Sequence, residues 1–99
     1  MEVKVNWSID AVDDIERIFK RIKEKTLSEN LARNVVSDIY NTGVNIQFIE
    51  QYQIDEFLGK PFRRMIVRHF KIIYRPIKED EIRILQVFDS YQSPIKLRK

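Results

Sequence analysis

Apolar residues change their period midway along this 99-residue chain, and that change limits the fold more than any other feature. Up to Ile49 they recur three and four positions apart: Val12, Ile15, Ile18 or Phe19 and Ile22, then Leu31, Val35, Ile39, Ile46 and Ile49. Such spacing gathers them on one side of a helix. From Phe62 they fall instead in short alternating runs, 62–67, 70–75 and 82–88, the period of strands. In front of both halves, Val3, Val5 and Trp7 alternate as a half-buried strand. The order predicts an α+β fold. An N-terminal strand precedes an antiparallel helix hairpin, which packs on one face of a small, mainly antiparallel sheet whose C-terminal part is a three-stranded meander. With 2 glycines and 3 prolines there is little material for long loops, and the length suits a single domain, 1–99.

Local signals place the boundaries. Ser8 is a helix N-cap, and Asp10, Asp13 and Asp14 add negative charge where the helix dipole favours it. The first helix should end near Lys25, with Thr26 and Leu27 as a short connection and Ser28 as the second N-cap. The second apolar stripe runs in phase through Asn41-Thr42-Gly43, so one long helix to about Gln51 is expected, although glycine within it costs about 1 kcal/mol. Tyr52–Lys60 reads as a loop closed by Gly59 and Pro61. Arg68-His69 then joins two strands as a hairpin in which Val67 faces Phe70, Met65 pairs with Ile72 and Arg64 with Ile73. Met65, Val67, Phe70, Ile72 and Tyr74 share the face that takes the helices. Arg64, Ile66, Lys71, Ile73 and Arg75 share the other, which one helical layer leaves open. Asp89–Lys99 reads as a basic tail.

Charge is divided as sharply as periodicity. Residues 58–99 hold 11 Lys/Arg against 4 Asp/Glu, whereas residues 1–57 hold 7 against 11. A domain with its positive charge on one structural half is suited to an anionic partner: nucleic acid, a ribonucleoprotein or an acidic protein. Arg64, Lys71 and Arg75, with Arg83 nearby, can neutralise phosphates, and Tyr91 can stack on a base. The competing reading is an ordinary solvated face of an antiparallel sheet.

The absence of cysteine excludes disulfides, thiolate chemistry and cysteine-ligated zinc, and with one histidine, His69, no metal site is expected. Neither a glycine-rich phosphate loop nor a Ser/His/Asp set is present, and no cofactor is expected. His69 has the side chain for proton transfer near neutrality, but its place in a hairpin turn favours plain exposure. No apolar run reaches membrane-spanning length or reads as a signal peptide, so the expected compartment is the cytoplasm.

Three groups of residues together resemble the RelE/ParE family of bacterial toxins from type II toxin–antitoxin systems. Trp7-Ser8, Ala11, Asp14-Ile15 and Ile18 are similar to its opening W-S-x-x-A-x-x-D-[IL]-x-x-I. Arg63-Arg64, Val67, Phe70-Lys71-Ile72-Ile73-Tyr74 and Arg75 are similar to its R-R-x-x-V … Y-[RK]-I-[IL]-Y-[RK]. Ile82, Ile84, Val87 and Asp89, with Gln92, Pro94 and Leu97, are similar to its closing I-x-I-x-x-V-x-D-x-R-Q-N-P-x-x-L.

The resemblance implies a toxin neutralised by a small cognate antitoxin, with Ile66 and Ile73 on the antitoxin-binding face. It implies one of two targets. RelE-like members cleave ribosome-bound mRNA, using basic residues to stabilise charge as the 2′-hydroxyl attacks. ParE-like members inhibit DNA gyrase without cleavage. Carried over by position, the ribonuclease set is Arg64, Lys71 and Tyr91, and the wider target-binding set is Arg63, Arg64, Arg68, Lys71, Arg75 and Arg83. The chain departs from the RelE pattern at Ile66, where a lysine is usual, and at Tyr91, where an arginine is usual. Tyr91 and Ser93 also replace the arginine and asparagine of the ParE pattern. A non-catalytic module that keeps the fold and binds an antitoxin-like partner is the alternative.

Overall fold

In the computed structural model residues 2–91 are described. The elements are strand β1 (Lys4–Trp7), helices α1 (Ile9–Thr26) and α2 (Glu29–Val44), and strands β2 (Arg63–Val67), β3 (Phe70–Lys78) and β4 (Glu81–Asp89), with a single 3-10 turn at Ile49–Gln51. The α+β architecture read from the periodicity is the one observed. The four strands lie in the order β1-β4-β3-β2, with β1 parallel to β4 and the other pairs antiparallel.

The hairpin register follows the alternation of the sequence: Val67 pairs with Phe70, Met65 with Ile72 and Arg64 with Ile73. Met65, Phe70, Ile72 and Tyr74 accordingly join Ile18, Val35 and Ile39 from the helices in one core. Each such side chain contributes roughly 1.5–3 kcal/mol on burial, and that term holds the helix pair to the sheet. Tyr74 adds a polar tether, donating from its hydroxyl to the carbonyl of Ile49 at 2.7 Å. Burial pushes its phenol up to about 12. The two-residue turn works despite its sequence because Arg68 takes a left-handed conformation, φ 55°. Its guanidinium is held by Asp38 of α2 at 2.9 and 2.8 Å. A left-handed residue costs roughly 1–2 kcal/mol, and an exposed ion pair of this kind, worth up to about 1 kcal/mol, offsets part of it.

Strand β4 carries one residue more than its partner needs. Ile73 pairs with Gln86 but Tyr74 pairs with Ile84, leaving Leu85 as a bulge. Strict alternation would put Ile84 and Val87 on opposite faces; the bulge lets both enter the core with Ile82. Past Trp7, where β1 ends, the edge of β4 is closed by the start of α1. Ser8 donates its backbone N–H to Ile84 O at 2.9 Å and its hydroxyl to Leu85 O at 2.9 Å, while that hydroxyl accepts Ala11 N–H at 3.0 Å. Asp14 accepts the buried N–H of Val87 at 2.9 Å.

Two expectations need correction here. Asp14 is not a dipole complement like its neighbour: it is buried, and it serves the β4 backbone while pairing with Arg17 at 3.2 Å. The second helix is not continuous to Gln51. It ends at Val44, where Asn45 N–H closes on Asn41 O, and the apolar stripe continues through the buried Ile46 and the 3-10 turn at Ile49. Gly43 lies inside the helix for a packing reason. A Cβ there would stand 2.6 Å from Trp7 Cζ2 and 2.8 Å from Cη2. The absent side chain lets the indole lie against α2 and stack on Tyr40, with ring centroids 5.6 Å apart. The last eight residues of the expected basic tail, with Gln92, Pro94 and Leu97 of the closing motif, lie outside the described residues.

Two substitutions test this frame by urea denaturation. Asp14→Ala strands a buried donor and should cost about 1–3 kcal/mol, whereas Asp13→Ala on the exposed side should stay within about 0.5 kcal/mol. Gly43→Ala should destabilise by about 1–3 kcal/mol through overpacking against Trp7, although alanine is the better helix former by about 1 kcal/mol.

Candidate functional site: a partly covered basic sheet face

The residues singled out by sequence do not form one open surface. The expected plain loop, Tyr52–Lys60, and the two residues after it fold back along β2. Asp55 N–H donates to Phe62 O at 2.9 Å, Arg64 N–H to Gln53 O at 3.0 Å, and Ile54 forms an isolated bridge with Arg63. Asp55 makes the turn: its Oδ1 accepts the backbone N–H of both Phe57 and Leu58 at 3.0 Å. Gly59 follows with φ 71°, the left-handed region that suits glycine.

Four of the six predicted target-binding cations serve the fold. Arg63 donates to Tyr52 O at 2.7 Å, and Arg64 to Ile54 O at 2.9 Å and to Gln53 Oε1 at 3.2 Å, so both secure the returning segment. Arg68 pairs with Asp38. Lys71 lies with its Nζ 3.8 Å from Asp55 Oδ2 and 5.3 Å from the centre of the Phe57 ring, and its side chain is only 14% exposed. Asp55 is fully buried and, among the described residues, its Oδ2 accepts no hydrogen bond. A desolvated carboxylate in that state needs a nearby cation, and Lys71 supplies it.

The open-face expectation is corrected on a further point. Ile73, assigned to an antitoxin-binding face, is 0% exposed, and Gln86 opposite it is also buried. Ile66 is 58% exposed, as expected, on the edge strand β2. Arg75 and Arg83 are exposed, with Arg75 lying 5.9 Å from the Phe62 ring centre.

Tyr91 belongs to a different group, at the hairpin end of the sheet. Its ring is 83% exposed and stacks on His69, with centroids 4.9 Å apart and planes 5° from parallel. His69 also packs on Phe70 at 4.3 Å, and its Nε2 is 3.5 Å from Asp89 Oδ2. Asp89 Oδ1 accepts Tyr91 N–H at 2.9 Å, and Arg21 of α1 approaches Oδ2 at 4.0 Å. Ser90 closes the arrangement, donating from its hydroxyl to His69 O at 2.6 Å. His69 is thus no freely exposed turn residue. The pairing was legible in principle, because continuing the register from Phe70 onto β4 sets Asp89 opposite Phe70, next to His69. Among the described residues no cluster of His, Cys, Asp or Glu is suited to a metal ion, and no helix is long and apolar enough to cross a membrane.

Comparison with known proteins places this geometry in a wider setting. No family model matches the sequence, and no curated protein matches it. Among solved structures, a chain described as "Chromosomal ParDE TA system from P. aeruginosa" superposes with a TM-score of 0.70 at 20% identity, over 86% of this chain and 92% of that one. At that identity the likeness establishes the fold: a strand, a helix pair and a strand meander arranged as in that chain.

The pairing of Lys71 with Asp55 can be tested by a double-mutant cycle. Lys71→Met should cost about 3–5 kcal/mol in urea denaturation, because it leaves a buried carboxylate unpaired. Adding Asp55→Asn, which keeps an oxygen for the two backbone donors, should recover much of that loss.

Proposed function

We infer that this chain is the toxin component of a type II toxin–antitoxin system, a single-domain protein held inactive by a small cognate antitoxin, and that it acts by occupying its target without cleaving it. The toxin reading is supported by the fold likeness to the ParDE system chain over nearly the whole of both chains. The three groups of family-like residues, from Trp7 to Leu97, point the same way.

The fate of the candidate catalytic cations supports this mode of action. Charge stabilisation of a departing or attacking oxygen requires donors aimed at the place where charge develops. Arg64 is spent on Ile54 O and Gln53 Oε1, and Lys71 on a buried aspartate. Ile66 removes a third cation at the position where a lysine is usual. A surface so depleted favours the gyrase-inhibitor branch, which needs no catalytic residue. Ile66 remains available to an antitoxin as an exposed apolar contact on an edge strand.

One observation favours the second reading, cleavage of ribosome-bound mRNA. His69, with Asp89 at 3.5 Å and Tyr91 stacked upon it, sets a proton acceptor beside an exposed phenol. An imidazole so placed can take the proton of an attacking 2′-hydroxyl.

Controlled expression in bacteria, with short pulses of labelled thymidine and amino acid, separates the readings. DNA synthesis should fall before protein synthesis, and purified chain should inhibit gyrase in vitro. Protein synthesis collapsing first, with transcripts cut in a His69→Gln-sensitive manner, selects the ribonuclease. Growth unaffected by expression would remove the toxin reading.

A further inference from the structure

At the β1 end of the sheet, the face away from the helices carries an arrangement that the fold does not require. Arg75 of β3 and Arg83 of β4 are direct cross-strand partners, and Asn6 of β1 completes their row. The next row is Lys4–Glu81–Lys78 across the same three strands. Four cations therefore face one anion over two adjacent rows. All four cations are exposed, and Arg83 has no partner among the described residues.

Directly opposed side chains in a sheet have Cβ atoms about 4.5–5.5 Å apart, and like charges at that separation are destabilising. The other sequence-predicted arginines each earn a structural bond; this pair makes none with its partner and repels it. A repulsive pair of guanidinium groups held on a rigid, flat surface is relieved by an anion lying between them, which each fork can engage through its N–H donors.

We propose that the Arg75–Arg83 row, flanked by Lys4 and Lys78, is a binding site for the phosphodiester backbone of duplex DNA. Two features select this partner. Protein interfaces have apolar or aromatic anchors at their centre and few charges there. This surface is the reverse, four exposed cations around the single carboxylate of Glu81, with Phe62 at its margin partly covered by Arg75. Unpaired nucleic acid is gripped by stacking bases on exposed rings, and the two rows offer no such platform. Contacts to a duplex backbone need only correctly spaced cations, and they carry no sequence information. The site is independent of the toxin reading, since it is measured on the isolated chain. It lies at the opposite end of the sheet from the His69–Asp89–Tyr91 group.

The test is fluorescence anisotropy with a labelled 20-base-pair duplex over a series of salt concentrations. It compares the wild type with Arg75→Gln/Arg83→Gln and with Lys20→Gln/Lys60→Gln, which removes the same charge from exposed positions elsewhere. The arginine double variant should bind roughly tenfold more weakly, with the slope of log K against log salt reduced by about two. The lysine variant should change affinity less than about twofold, since neither lysine contacts the backbone. Thermal melting of the arginine variant should be unchanged or raised, because a repulsive pair is lost, so weaker binding cannot be put down to unfolding. Equal losses in both variants would reduce the effect to net charge and overturn the site. So would unaltered binding by the arginine variant, or tighter wild-type binding to polyglutamate or single-stranded RNA of matched charge.

Discussion

The fold depends on how the exposed edge of β4 is closed. A parallel strand covers that edge only as far as Ile84, and the bulge at Leu85 then disturbs the ladder. Left alone, the buried Val87 N–H would lack a partner, at about 1–3 kcal/mol, and the half-buried Leu85 carbonyl would lose its bond. Ser8 and Asp14 satisfy both from the first turns of α1. Ser8 at the same time caps the helix it begins. One short segment thus ends β1, starts α1 and fixes the helix against the sheet. The helix pair cannot slide along the sheet without breaking these bonds, and the core beneath it keeps one register.

Much of this was readable in advance, and the failures have physical reasons. The helix hairpin and its caps followed from Ser8, Ser28 and the three- and four-residue spacing. The β2–β3 register followed from the alternation of Met65, Val67, Phe70, Ile72 and Tyr74. Neither result needed information from distant parts of the chain. The position of Asp14 did, because its partner lies 73 residues away. The helix α2 is shorter than its apolar stripe because Ile46 and Ile49 are buried on that stripe while the backbone beneath them no longer continues α2. Periodicity records which side chains face the core, and in this segment a turn presents them as well as a helix would.

The candidate site was less legible than the fold. Arg63, Arg64 and Lys71 were grouped by charge with Arg75 and Arg83, but charge does not say whether a cation faces solvent or a carbonyl. The distinction rests on segment 52–62, whose composition resembles that of an ordinary loop and whose return along β2 depends on Asp55. Positive charge in the second half of the chain therefore has two roles: one group pins a segment to the sheet, and another stays solvent-facing on β3 and β4. A count of basic residues merges them, whereas the registers separate them.

The contact between Trp7 and Gly43 has a consequence beyond packing. Trp7 is the chain's single tryptophan. Its ring lies where β1, β4 and α2 meet, touching Gly43 and stacking on Tyr40, with Ile84 alongside. Its indole nitrogen is buried and has no hydrogen-bond partner among the described residues. The molecule thus contains its own optical gauge: whatever tilts or lifts the second helix changes the polarity around one indole, so seating of the helix pair registers as a change in the colour and yield of a single emitter.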